Sequence, residues 1–221
     1  MADAPLFSDA DRDRIREAVA EAETRTAGEI VPYVVRTSGS YPVAVWRGAS
    51  AGALLAAVVA LAVAQVYAGW GMGWLYSAWG MALAVALGGV LGAALGATVA
   101  PLRRRLAGGA LLDEAVHRRA ALAFVDEEVF DTRDRTGILL FVSLFERRIE
   151  VVGDAGINAK VEAGEWDEVV GLLRGGVVRG DLAGGIVEAV GRCGDLLHRR
   201  GVALRPDDTD ELSDDVRVRD E

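Results

Sequence analysis

The sequence predicts an α/β sandwich interrupted by a two-helix transmembrane hairpin. Three observations carry this. The 55 residues between Arg47 and Arg103 contain no Asp, Glu, Lys or Arg, which suffices for two crossings at roughly 20 residues each with a turn between them. Residues 30–35, 138–144 and 148–152 are short apolar runs of strand length. Amphipathic runs at helical spacing flank those strands on either side of the charge-free segment. A mean hydropathy of +0.24 over 221 residues agrees with a membrane component. About 165 residues lie outside the charge-free run, enough for one soluble domain with its own core.

The elements follow in order. Ser8 is an N-cap, with Asp9, Asp11 and Asp13 after it and Asp11 at the capping-box spacing. Ile15, Ala18, Val19 and Ala22 form the apolar stripe of a helix that ends between Thr26 and Gly28. The strand 30–35 contains Pro32, which lacks an N–H donor, so this strand lies at an edge or its pairing starts late. Residues 37–40 form a loop into the membrane.

The spans are expected at 46–67 and 76–100, with Gly69, Gly71 and Gly73 at the turn. Tyr67, Trp70, Trp74, Tyr76 and Trp79 cluster around that turn, and Tyr41 and Trp46 sit at the other end, as interfacial aromatics do. Arg47 precedes span one and Arg103, Arg104 and Arg105 follow span two, while the turn has no positive charge. The positive-inside rule then puts both flanks, and both termini, in the cytoplasm of a cell with a cytoplasmic (inner) membrane. Small residues recur every four positions: Gly48, Gly52, Ala56, Ala60 and Ala64 in span one, and Gly80, Ala84, Gly88, Gly92, Gly96 and Ala100 in span two. Gly88, Gly92 and Gly96 are the expected helix-packing residues, joining the spans to each other or to another copy in a homo-oligomer. Gln65 is the one strongly polar side chain in a span, which leaves a transport path little to build on.

Gly108-Gly109 breaks the chain after span two. Leu112, Val116, Ala120, Ala123 and Phe124 mark a long helix that ends near Phe130, with Glu127 and Glu128 on its solvated face. A polar turn, 131–135, leads into the strand 138–144. A tight connection at Glu146-Arg147 returns the chain through 148–152 as a β-hairpin. The loop 153–156 follows. Trp166, Val169, Val170, Leu173 and Val177 mark one helix, and Leu182, Ile186, Ala189, Val190, Cys193 and Leu197 mark the last. The domain is therefore split, with residues 1–44 before the hairpin (45–101) and residues 102–204 after it. Residues 205–221 form an acidic tail, extended or disordered, in which 206–221 carry eight acids against Arg217 and Arg219. The first strand and the β-hairpin can share a sheet only if both flanks share a compartment, which agrees with the orientation from charge.

The net charge of −9 and the absence of a basic face exclude nucleic acid as an expected partner. Cys193 is alone, so no intrachain disulfide forms, and its place on an apolar stripe reads as core. His117 and His198 do not make a zinc site. The N-terminus has neither a basic region nor an apolar run, so it is not a cleavable signal peptide.

A resemblance emerges from the soluble segments. Arg25-Thr26-Ala27-Gly28-Glu29-Ile30-Val31 resembles the opening of TPM domains, where a helix ends and a strand starts. Arg135-Thr136-Gly137-Ile138-Leu139-Leu140-Phe141-Val142-Ser143 resembles their central strand. The stretch from Glu146 to Ile157 resembles the hairpin return and the loop after it. Trp166 and Gly180-Asp181-Leu182 sit where the closing helices of such domains begin. The ordered set covers nearly all the soluble sequence. It resembles bacterial membrane-anchored TPM proteins whose spans interrupt the domain. That resemblance implies an α/β sandwich. It also implies a range of activities described for members: calcium binding, weak acid phosphatase activity, and accessory roles in assembling or repairing membrane protein complexes.

The candidate chemistry rests on loop acids. Ca²⁺ needs several oxygen ligands at once. Asp134 precedes the central strand and Asp154 follows the return strand, so the two outer ends of the β-hairpin bring them side by side. Glu29 joins them if the first strand runs parallel to the central one, and the carbonyls of Gly153 and Ala155 would complete a shell. The bland alternative is a set of solvated loop acids. Asp131-Thr132-Arg133-Asp134 lacks the alternating acids and glycine of an EF-hand loop, and Arg133 and Arg135 offset its charge. No G-x-S-x-G, P-loop or Cys-His pairing is present. A phosphatase would have to combine Asp134 or Asp154 with Arg135 or Arg148. The expected function is a non-enzymatic, membrane-anchored domain that binds or helps assemble other membrane proteins, with calcium as its candidate ion. A metal-dependent phosphatase at the membrane surface is the second reading, and a structural membrane oligomer the third.

Overall fold

The computed structural model describes residues 6–66, 77–204 and 211–219. The chain divides into two units, Met1–Ser38 with Ala115–Glu221, and Gly39–Glu114.

In the first unit, α1 (Asp9–Glu23) starts from a capping box. The Ser8 hydroxyl accepts the Asp11 N–H at 3.2 Å, and the Asp11 carboxylate accepts the Ser8 N–H at 3.1 Å. Two donors that a helix start leaves open are thereby satisfied. The serine bonds also hold the Asp11 carboxyl below its ordinary pKa. α1 stops short of the expected end, because the Thr26 hydroxyl donates to the Val202 carbonyl at 2.8 Å and turns the chain toward the sheet.

The sheet has four strands in the order β3-β2-β1-β4. β1 (Glu29–Val35) and β2 (Gly137–Ser143) are parallel, with Glu29 opposite Gly137 and Val35 opposite Ser143. β2 and β3 (Arg148–Gly153) form the expected antiparallel β-hairpin. The fourth strand, β4 (Arg217–Arg219), pairs parallel with β1 at Tyr33–Val35. β1 is therefore interior and not at an edge. The other expectation from Pro32 holds on one side: β4 pairing begins at Tyr33, just past the residue that has no N–H to give. The tail, expected as extended or disordered, contributes a strand.

Every residue of β1 and β2 is buried, as befits parallel strands covered on both faces. Alternation decides what each side chain meets. Ile30, Val34, Ile138, Leu140 and Val142 share one core cluster with Ile15 and Val19 of α1. Leu173 from α7 (Asp167–Arg179) and Ile186 and Val190 from α8 (Leu182–Arg199) complete that layer. Val31, Tyr33, Val35, Leu139 and Phe141 form the opposite cluster with Val116, Ala120 and Ala123, on α5 (Gly109–Asp126). Tyr33 and Phe141 stack there, their ring centroids 5.6 Å apart. A four-residue helix, α6 (Ala155–Asn158), occupies what the sequence predicts as loop.

In the second unit, α2 (Pro42–Val66) and α3 (Ala78–Thr98) are two helices long and apolar enough to cross a membrane. In each, only 11% of the most apolar stretch is buried, unlike the core helix of a soluble domain. The glycine stripes face each other. A Cβ at Gly92 would lie 2.1 Å from the Gly48 carbonyl oxygen, and one at Gly52 would lie 2.2 Å from that of Gly88. A Cβ at Gly96 would lie 2.6 Å from the Ala44 carbonyl oxygen. Gly88, Gly92 and Gly96 therefore serve packing within the chain. The expected second span to residue 100 stops at Thr98, because Val99 leaves the helical region and Pro101 opens the short helix α4 (Ala100–Ala107). Arg47 lies within α2 and its guanidinium donates to the Leu106 and Ala107 carbonyls, at 2.6 and 3.1 Å, which caps that short helix. Arg103 lies over the Tyr41 ring, 5.8 Å from its centroid. The glycines and aromatics expected at the turn, 67–76, lie outside the described residues.

Candidate functional site

The parallel pairing of β1 and β2 brings Glu29, the 131–136 turn and the end of β3 to one end of the sheet. Asp134 and Asp154 approach as expected there: the Gly156 N–H donates to the Arg135 carbonyl at 2.9 Å, and a Cβ on Gly156 would meet the Asp134 carbonyl oxygen at 2.3 Å. The side chains, however, are engaged separately. Asp154 is buried and accepts the Ala155 N–H at 2.7 Å through Oδ1. Its Oδ2 faces Arg135 Nε at 2.8 Å as an ion pair without hydrogen-bond alignment. Arg135 itself stands at φ +57° with its guanidinium 5.7 Å from the centre of the Phe130 ring. Glu29, also buried, accepts the N–H groups of Glu211 and Leu212 at 3.4 and 3.3 Å. Asp134 and Asp131 are exposed.

The carbonyls expected to complete a shell are also used: Gly153 accepts the Asn158 amide at 2.6 Å, and Ala155 accepts the Ala159 N–H. Among the described residues, no three His, Cys, Asp or Glu side chains gather so as to hold a metal ion. Arg148 is remote from this corner. It pairs with Ser143 at one end of the β-hairpin, whereas Gly153, beside Asp154, pairs with Ile138 at the other.

That far end holds a polar cluster that sequence reading takes for a mere tight connection. Glu146 is 1% exposed. Its Oε1 accepts the Thr37 hydroxyl at 3.1 Å and the Ser38 N–H at 3.0 Å. Its Oε2 accepts the Ser143 hydroxyl. A hydroxyl has one proton, so the Ser38 hydroxyl donates to Ser143 Oγ, 2.7 Å away. One carboxyl group thus ties the ends of β1 and β2 to the hairpin turn. The Ser143-x-x-Glu146 spacing was the available signal. Its partners Thr37 and Ser38 lie more than a hundred residues away in sequence.

Glu127, expected on a solvated face, corrects that expectation. It accepts Arg217 Nε at 3.3 Å and Arg219 Nη2 at 2.9 Å, and so anchors β4. Its partner holds the Arg219 guanidinium above its ordinary pKa. Arg16 adds a further ion pair to Asp215 at 2.6 Å. His117 Nδ1 lies 2.6 Å from Glu150, whose hydrogen bond and charge raise the imidazole pKa. Cys193 is fully buried in the core, and burial pushes its thiol pKa far up, so it is no nucleophile.

No family model matches the chain, and no curated protein matches it. Among solved structures, the BA42 protein of the psychrophilic bacterium Bizionia argentinensis, determined by NMR, is similar. Its TM-score is 0.60 at 17% identity, over 99% of this chain and 100% of that one. The likeness shows the fold, a helix-covered mixed α/β sheet.

Proposed function

We propose that this chain is a membrane-anchored TPM-like domain protein that binds or helps assemble other membrane proteins without catalysing a reaction. The observation that carries the reading is an apolar helix pair inserted between two strands that pair residue for residue. Two crossings return the chain to the side it left, so both halves of the sheet would share one face of the membrane, and the flanking arginines favour the cytoplasmic face of the inner membrane. The outward apolar side chains of α2 and α3, Leu54, Val58, Leu61, Leu87 and Leu91 among them, suit a lipid bilayer. Engagement of Asp154 by Arg135, and of Glu29 by backbone N–H groups, favours binding over metal-dependent phosphate release. Calcium at Glu29, Asp134 and Asp154 would require those bonds to open.

The test is cross-linking in native membranes followed by affinity capture, with the intact chain and a version whose α2–α3 hairpin is replaced by an unrelated two-span hairpin. Recovery of the same membrane protein with both versions is expected. Recovery of nothing above an unrelated anchor alone overturns the reading.

A further inference from the structure

The sheet unit contains a cleft of about 450 Å³ between the turn end of the β-hairpin and α7. Val142, Ser143 and Ile149 line it from the hairpin, and Val177 and Val178 from the helix. Val178 is 81% exposed, a large apolar side chain left open at the rim of the cleft. Three arginines, Arg147, Arg148 and Arg174, contribute to the lining, and no acidic residue does among the described residues. Glu146, next in sequence, is turned into the buried serine cluster and does not line the cleft. Glu150, two residues beyond Arg148, is held by His117.

The chemistry of the lining narrows the occupant. Guanidinium forks match the oxygens of a phosphate or carboxylate, and two of them, those of Arg147 and Arg174, exceed the charge of one carboxylate. A phosphate monoester, with about −1.5 to −2 charge at neutral pH, suits them better. The remaining walls are aliphatic, and no aromatic side chain stands in the lining to stack on a base. The volume falls in the range of small-molecule sites.

Arg147 stands in the hairpin turn at φ +56°, a conformation that glycine or asparagine ordinarily occupies.

We infer that this cleft binds a phosphate monoester carried on an aliphatic chain, with Arg147 and Arg174 holding the phosphate and Val142, Ile149 and Val177 the chain. The inference rests on the sheet unit alone and stands whether or not the proposed assembly role does.

The test uses the full chain in phosphatidylcholine nanodiscs, titrated calorimetrically with hexyl phosphate and corrected for empty nanodiscs. Saturable binding is expected, at least tenfold tighter than inorganic phosphate and than hexanol. Arg147→Gly, which relaxes the turn, is expected to keep the thermal midpoint and weaken binding tenfold or more. Arg174→Gln on the exposed face of α7 is expected to do the same. A second arm offers phosphatidic acid within the nanodisc. Competition between it and hexyl phosphate identifies a lipid as a source, whereas hexyl phosphate binding unaffected by phosphatidic acid identifies a soluble one. Absence of binding in both arms, equal affinity for hexanol or inorganic phosphate, or full affinity in both arginine variants overturns the inference.

Discussion

Glu146 illustrates how one residue holds distant segments together. Its carboxyl group receives two hydroxyls and a backbone N–H in a site closed to water. Truncating it strands those donors in the interior, where each unpaired group costs more than the bond itself contributed. Glu146→Ala is expected to lower stability by about 2–4 kcal/mol, and Glu146→Gln by less, since the amide keeps one acceptor oxygen. Denaturant titration of the full chain, followed by the circular dichroism of the sheet unit's transition, measures both. A midpoint unchanged in the alanine variant would contradict the role assigned to this side chain. At this scale the sequence was a partial guide. Ser8 with Asp11, and Cys193 as core, are legible because their signals are local spacings. Glu146 and Glu127 are not, because each is defined by partners that only the fold brings near.

At the scale of elements, the hairpin is a matter of small residues. Backbone carbonyls of one helix occupy the space where side chains would stand on the other, all along Gly48, Gly52, Gly88, Gly92 and Gly96. Gly92→Leu is therefore expected to drive α2 and α3 apart. Cysteines at Ala53 and Gly89 report the change, since a Cβ at Gly89 would lie 3.6 Å from that of Ala53, close to the span of a disulfide. The double-cysteine chain should cross-link rapidly on oxidation in membranes, and adding Gly92→Leu should slow it at least tenfold; equal rates would refute the packing. The stripe was readable from its period of four. The choice between packing within the chain and packing between copies was not, because a period does not name the facing helix. Helix ends likewise drift where tertiary bonds intervene, as Thr26 does after α1 and Val99 after α3. β4 was invisible for a plainer reason. Arg217-Val218-Arg219 is three residues long, lacks an apolar pattern and lies in an acidic stretch.

At the scale of the whole molecule, topology follows from strand pairing. β1 and β2 meet in register on opposite sides of the hairpin in sequence, so an odd number of crossings between them is excluded. A compartment reporter inserted at Gly71 is expected to read the outside of the inner membrane, and one fused after Glu221 the cytoplasm. Reporters that agree with each other would show that the helix pair does not cross. The charge-free run makes the apolar helix pair legible. The split sheet was legible from apolar runs of strand length, and its parallel register could be posed only as a condition.

The interior place of β1 also sets a timetable for biogenesis. It leaves the ribosome before either neighbour: β2 is synthesised more than a hundred residues later and β4 later still. At roughly 5–20 residues per second, β1 waits on the order of ten seconds with both edges unpaired. The helix pair emerges during that interval and, if it inserts, tethers the nascent strand beside the translocon. In that case seven consecutive buried residues are held at the membrane surface until their partners arrive.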